Sequence, residues 1–407
     1  MPILFQISAV INSGSVGRIA DQIGQTVIRH GWQSYISYAR NCLTSMSEKV
    51  KIGNKLDIYW HGINSRLFDN HCLCSTKSTK KLIRKIKEIR PDVIHIHNLH
   101  GYYINMKILF DFLKKADLPV VWTLHDCWSF TGHCTYFDYI KCKKWVSGCY
   151  RCPQKRLYPA SFLFDRSSRN YKIKKEIFNN VKNMTIVPVS YWLGELVKKS
   201  FLKEYPIKVI QNGIDTNCFF PVKNNKVIEK YNIGKKIVLL GVSNQWTKRK
   251  GFDDFIALNK VIDHTVYKIV LVGLNNKQLK ELPDTITGIK HTENVDELAA
   301  LYSISNIYIN PTLEDNFPTT NLEAMACGTP VITYRTGGSI ESISENTGLI
   351  VNREDINGLY KAVEYITGKG KNQYTDNCRS RAILYYDKQD RFNDYIDLYN
   401  TIIIKGK

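Results

Sequence analysis

The stretch from residue 306 to 333, NIYINPTLEDNFPTTNLEAMACGTPVIT, constrains the fold more than any other part of the 407-residue chain. Residues 307–309 are apolar, two of them the β-branched Ile307 and Ile309, as in a parallel strand covered on both faces. Pro311 has no N–H to give the ladder and ends that strand. The polar loop 313–318 carries adjacent carboxylates at Glu314 and Asp315. Thr319, Thr320 and Asn321 then open a run of good helix formers, 322–326. Gly328 stops the helix, and 330–333 begins the next strand. Strand, acidic loop, helix and strand in so little chain imply a βαβ unit. At the carboxyl edge of a sheet, the backbone N–H groups of residues 319–321 and the positive helix end suit a bound phosphate. Glu323, about one turn in, is placed to accept hydrogen bonds from a ribose.

The same alternation runs through the chain. Strand-like runs at 3–7, 34–38, 120–124, 185–189, 237–242 and 269–273 are separated by helical segments, which implies α/β architecture. The length suits two or three domains. The first strand leads into a glycine-bearing loop, 12–20, ahead of a helix. His95 and His97 lie two apart on the strand 93–97 and point to one face; His95 reads as core, and His97 lies nearer the loop. His125, with Asp126 beside it, stands at the end of the strand 120–124. That placement suits a polarised acid, base or hydrogen-bond donor, or a satisfied structural pair. The helical run 79–90 sets Leu82, Ile83, Ile86 and Ile89 against a basic back.

Five of the 11 cysteines fall between residues 127 and 152. Cys134, Cys142, Cys149 and Cys152 have the residue types of a closed structural zinc site, although the first two spacings are wide for one; reduced thiols are the alternative. The net charge of +20 suits anionic nucleotides or an anionic membrane surface. No nucleic-acid-binding module accompanies it, so nucleic acid is not expected as a partner. No apolar run reaches 18 residues and no basic leader opens the chain. A cytoplasmic protein is expected, peripheral on the inner face of the cell membrane.

The run Glu314-Asp315-Asn316-Phe317-Pro318, followed by Leu322-Glu323-Ala324-Met325-Ala326-Cys327-Gly328-Thr329-Pro330-Val331, resembles the signature of glycosyltransferase family 4. Asp315 and Glu323 have that family's acidic spacing, with Glu314 one position early, so either could meet the sugar. The text NGID at 212–215 with Phe220-Pro221 is similar to the family's inter-domain crossover. The resemblance implies a GT-B fold, two Rossmann-like domains facing a cleft. It gives an acceptor-side domain at 1–205 joined by a C-terminal helix at 389–407, and a nucleotide-sugar domain at 206–388. The implied reaction is retaining transfer of a sugar from a nucleotide-sugar donor to a hydroxyl of a glycan acceptor, lipid-linked, as in bacterial surface-polysaccharide assembly. His125 and Asp315 or Glu314 would meet the sugar. Gly17, Arg249, Lys250, Asn316, Phe317, Thr319, Thr320, Asn321 and Glu323 would bind the donor. Asn244 stands where the family has an arginine, and Arg249 is expected to supply that charge. No Asp-x-Asp metal motif is present, so no cofactor is expected for catalysis. A nucleotide-sugar 2-epimerase on the same fold and a non-catalytic binder of anionic polymers are the rival readings.

Overall fold

The computed structural model describes residues 1–405, in two compact units. The first comprises Met1–Gln211 together with the chain from Arg391 onward, and the second Asn212–Asp390. These divisions fall within a few residues of the expected 205/206 and 388/389.

The first unit holds β1 (Ile3–Ile7), β2 (Gln33–Tyr38), β3 (Glu48–Lys51), β4 (Val93–Ile96), β5 (Val120–Leu124) and β6 (Met184–Pro188). They form one parallel sheet in the order β3-β2-β1-β4-β5-β6. The second unit holds β7 (Ile237–Val242), β8 (Tyr267–Val272), β9 (Ile286–Ile289), β10 (Ile307–Asn310), β11 (Val331–Tyr334) and β12 (Gly348–Val351). Its parallel sheet runs β12-β11-β10-β7-β8-β9, the same connectivity. Strands such as VVWTL in β5 are buried at every position because helices cover both faces, which is why they read as unbroken apolar runs.

In each sheet the strand order reverses once, between β1 and β4 and between β7 and β10. Loops leaving the carboxyl ends of strands at such a point diverge, and ligands bind there. The helix Lys388–Lys405 returns to the first unit, where Phe392, Tyr395, Ile396 and Tyr399 pack with Leu4, Val93, Val121 and Val187. The expected helix at 79–90 is Thr76–Ile89, with Leu82 and Ile86 in the core and its lysines outside.

Candidate functional site

In the second unit the site is a loop that would be unstable without its partners. Residues 311–318, between β10 and the helix Thr319–Ala326, are buried throughout, carboxylates included: Glu314 is 4% exposed and Asp315 9%. Buried backbone and charge must be satisfied internally, and the turn Lys248–Lys250 that follows β7 satisfies them. Arg249 O accepts from Leu313 N–H at 2.8 Å, and Arg249 Nη1 donates to Glu314 O at 2.6 Å. Lys250 Nζ forms an ion pair with Asp315 Oδ2. Burial raises the Asp315 pKa, but Lys250 and Arg249 outweigh it and hold the carboxyl below its ordinary value. Gly251 turns the chain away at φ +75°; a Cβ there would stand 2.2 Å from Pro311 O, so only glycine lets turn and loop touch.

The helix Thr319–Ala326 begins without a side-chain cap, and its first-turn N–H groups at Thr319 and Thr320 lie half-buried beside this loop. Glu323 Oε2, one turn in, accepts from Tyr302 OH at 3.0 Å, which fixes the carboxylate's direction.

Three of the expected donor-site residues are buried in contacts of their own. Asn321 is fully buried; its Oδ1 accepts from Asn310 Nδ2 at 2.7 Å, and its Nδ2 donates to Ser339 and Ser342. Its N–H bonds Pro318 O at 3.3 Å, so Asn321 joins helix to sheet and neither group remains for a phosphate. Phe317 is buried, its ring centroid 5.7 Å from that of Tyr386, and acts as an anchor for the loop. Asn316 is buried too, with its N–H on Asp315 Oδ1 at 2.9 Å.

In the first unit the polar groups cluster at the carboxyl ends of β1, β4 and β5. Gln6 Nε2 donates to Ala20 O at 2.8 Å, so Gln6 Oε1 is left to accept from His97 Nε2–H at 2.9 Å. Neutral His97 then presents Nδ1 as acceptor to His125 Nε2–H, 3.3 Å away. Burial keeps both imidazoles neutral, pushing His97 well below its ordinary value and His125 down to about 4, against the opposing pull of Asp126. This chain from Gln6 sets the tautomer of His125.

Asp126 has a partner that sequence reasoning missed. Its Oδ2 accepts from His100 Nε2 at 2.7 Å and its Oδ1 from Trp128 N–H at 2.9 Å. The only signal was density, three histidines between 95 and 100. His97, His100, His125, Asp126 and Ser129 line one small cavity. His95 lies deeper, bonded to Thr123 Oγ1 at 2.8 Å and Tyr399 OH at 2.6 Å. Gly17 packs against Val10. Its O accepts from Asn12 N–H at 3.0 Å, and a Cβ would meet Val10 Cγ2 at 2.9 Å.

The four cysteines considered for zinc line one cavity with His133, and Gly132 N–H points at Cys149 Sγ at 3.1 Å. All eleven cysteines are free thiols. Among the described residues no three His, Cys, Asp or Glu side chains are arranged so that they could hold a metal ion.

Comparison with known proteins decides what this pair of sites belongs to. Residues 16–217 match the model for Glycosyltransferase Family 4, and residues 234–368 that for Glycosyl transferases group 1. The chain belongs to glycosyltransferase family 4. Within it, WcaC of Escherichia coli K12, assigned as a colanic acid biosynthesis glycosyl transferase, is 26% identical over 336 residues, 77% of each chain. An E. coli UDP-Gal:alpha-D-GlcNAc-diphosphoundecaprenol alpha-1,3-galactosyltransferase is 23% identical over 222 residues, 51% of this chain and 57% of its own. HepE of Anabaena, solved with UDP, superposes with a TM-score of 0.69 at 15% identity, covering 98% of this chain and 100% of its own. This glycosyltransferase therefore has the GT-B fold, and the epimerase and polymer-binder readings are not favoured. Among the described residues no helix is long and apolar enough to cross a membrane.

Proposed function

We propose that this glycosyltransferase moves a sugar from a uridine diphosphate sugar to a hydroxyl of a lipid-linked glycan, retaining the anomeric configuration and using no metal. The observation that carries the reading is the Arg249–Lys250 turn clamped on the buried loop 311–318, beside the first-turn N–H groups of the helix Thr319–Ala326. Two cations and two N–H donors converge where a diphosphate would leave, and preorganised donors of that kind stabilise developing charge. Glu323, oriented by Tyr302, takes the ribose, and Asp315 or Glu314 takes the sugar. The bond from the sugar's anomeric carbon to the diphosphate oxygen breaks, and its electron pair stays on that oxygen. The acceptor oxygen bonds the same face and passes its proton to the departing phosphate. His125 binds a sugar hydroxyl. The UDP in HepE and the undecaprenol-linked substrate in the galactosyltransferase's name support the donor and acceptor classes. A lipid-linked acceptor places the work at the inner face of the cell membrane.

The test is thermal shift with UDP, GDP and ADP on the wild type, Lys250→Ala and Glu323→Ala, because a ligand that binds only the folded state raises Tm by mass action. A rise with UDP that both variants lose supports the reading. Equal indifference to all three nucleotides sinks it.

A further inference from the structure

The helix Lys55–Phe68 is inside out. Its buried residues are His61, Gly62 and Ser65, whereas Leu56, Tyr59 and Trp60 are 77%, 70% and 63% exposed. Ile58 is its main apolar tie to the core. Helices of water-soluble domains orient the other way, with the apolar stripe inward. The helix is nonetheless well formed, its N-cap Asn54 accepting from Asp57 N–H at 2.9 Å.

A second apolar element is fastened to the same helix. Phe162 N–H donates to Arg66 O at 2.7 Å, Phe164 N–H donates to Leu67 O at 3.4 Å, and the Phe164 ring stacks on Phe68 with centroids 5.9 Å apart. Ser161 Oγ closes this turn on Phe164 O at 2.6 Å. The turn holds Phe162, Leu163 and Phe164 outward, 51%, 62% and 47% exposed. Helix and turn, joined by these contacts, thus present one apolar ridge instead of single scattered hydrophobics.

The surrounding chain is strongly basic. From residue 141 to 175 there are eleven lysines and arginines, all but the buried Lys174 reaching the surface, and a single carboxylate, Asp165. Lys155 Nζ donates to Leu163 O at 3.5 Å, on the turn itself. The Arg166 guanidinium lies over the Phe164 ring, 5.5 Å from its centroid, which sets a cation directly against the ridge. Aromatic and leucine side chains flanked by cations match an interface of hydrocarbon below anionic headgroups. A protein partner would need no such charge excess.

We propose that this ridge, Leu56, Tyr59, Trp60, Phe162, Leu163 and Phe164, is where the enzyme inserts into an anionic lipid bilayer. The proposal rests on the lipid-linked acceptor reading above, since it brings the first unit to the surface where such an acceptor lies. Insertion is shallow and reversible, with the basic rim supplying the headgroup attraction.

Co-sedimentation of the full chain with phosphatidylglycerol/phosphatidylethanolamine vesicles and with phosphatidylcholine vesicles tests it. Two exposed-site variants are compared, Leu56→Ser with Trp60→Ser, and Phe162→Ser with Leu163→Ser. The expected result is binding to the anionic vesicles alone, weakened about tenfold or more in each variant, while Tm and the UDP-induced shift stay as in the wild type. Vesicle binding that the variants leave unchanged would overturn the ridge, and so would absence of binding to either vesicle. A concentration-dependent dimer that the substitutions abolish would assign the ridge to a second copy and overturn it too. Loss of the UDP shift in the wild type is a separate failure, that of the donor reading.

Discussion

The two units share one sheet connectivity but fill the carboxyl edge of that sheet with opposite chemistry. The second unit uses fixed charge: Lys250 against Asp315, Arg249 on a backbone oxygen, Glu323 aimed by Tyr302. The first uses neutral imidazoles, His97 and His125 in a chain from Gln6, with Asp126 tied to His100. The difference teaches that one topology can be tuned by what its switch-point loops carry. Permanent charge suits a charged diphosphate, and uncharged directional donors and acceptors suit hydroxyls, which is the division the proposed reaction needs.

The largest effects should come from the charged side. Replacing Lys250 by alanine is expected to lower sugar transfer by about 100-fold or more, because donors aimed at developing charge lose most when removed. Glu323→Ala should weaken donor binding by removing the acceptor for the ribose. Initial rates with a UDP-sugar check this, and near wild-type rates would break the contrast. His125→Ala should cost about 10–100-fold in kcat while leaving the UDP-induced Tm shift intact, since it acts on the sugar and not on the nucleotide. If His125→Ala abolished the UDP shift, the two edges would not divide the labour as described.

Acid should separate the units without any mutation. Burial holds His61 and His125 down to about 4 and pushes His71, His95 and His97 well below the ordinary histidine value. The unfolded chain therefore binds more protons than the folded one below about pH 6.5, and the first unit loses stability as pH falls from there toward 4. Asp315 has the opposite sense. Its lowered pKa contributes stability that is present above its ordinary value of 3.8 and is lost only as pH drops further. Between pH 6.5 and 4.5, hydrogen exchange corrected for its intrinsic pH dependence should accelerate in peptides covering 93–126 and hold steady in those covering 307–331. Equal acceleration in both would remove the distinction.

A smaller effect sharpens it from the backbone side. Gly251→Ala must carry a side chain at φ +75° with its Cβ on Pro311 O, and should destabilise the second unit by about 1–3 kcal/mol. Gly17→Ala meets the Val10 side chain at 2.9 Å, which can move, and backbone atoms only at 3.4 Å, so a loss below about 1 kcal/mol is expected by urea titration.

The second unit was the more legible in sequence, for a physical reason. Its strand, acidic loop and helix are contiguous from residue 307 to 326, so chemistry and spacing appear in one reading. Even there the sequence does not show that the Asn321 side chain is held by Asn310, Ser339 and Ser342, which are brought to it from other elements. In the first unit Gln6, His97 and His125 come from three strands, brought together by parallel pairing of Gln6 with His95 and of Ile96 with Trp122. No local pattern announces such a set. His125 was legible from its place at a strand end, but the side chains that orient it were not. The ridge at 55–68 was equally hidden, because an apolar stripe in a helix gives no sign of which way it faces.

The return of the helix Lys388–Lys405 to the first unit has a consequence for how the chain is made. The first sheet is nearly all synthesised before residue 190, yet Tyr395 and Tyr399, which bond Thr123 and His95, come after the whole second unit. During translation the second unit can close its core while the first still lacks part of its covering layer. The unit synthesised later is thus the one able to finish first, and the imidazole-lined edge reaches its final form last.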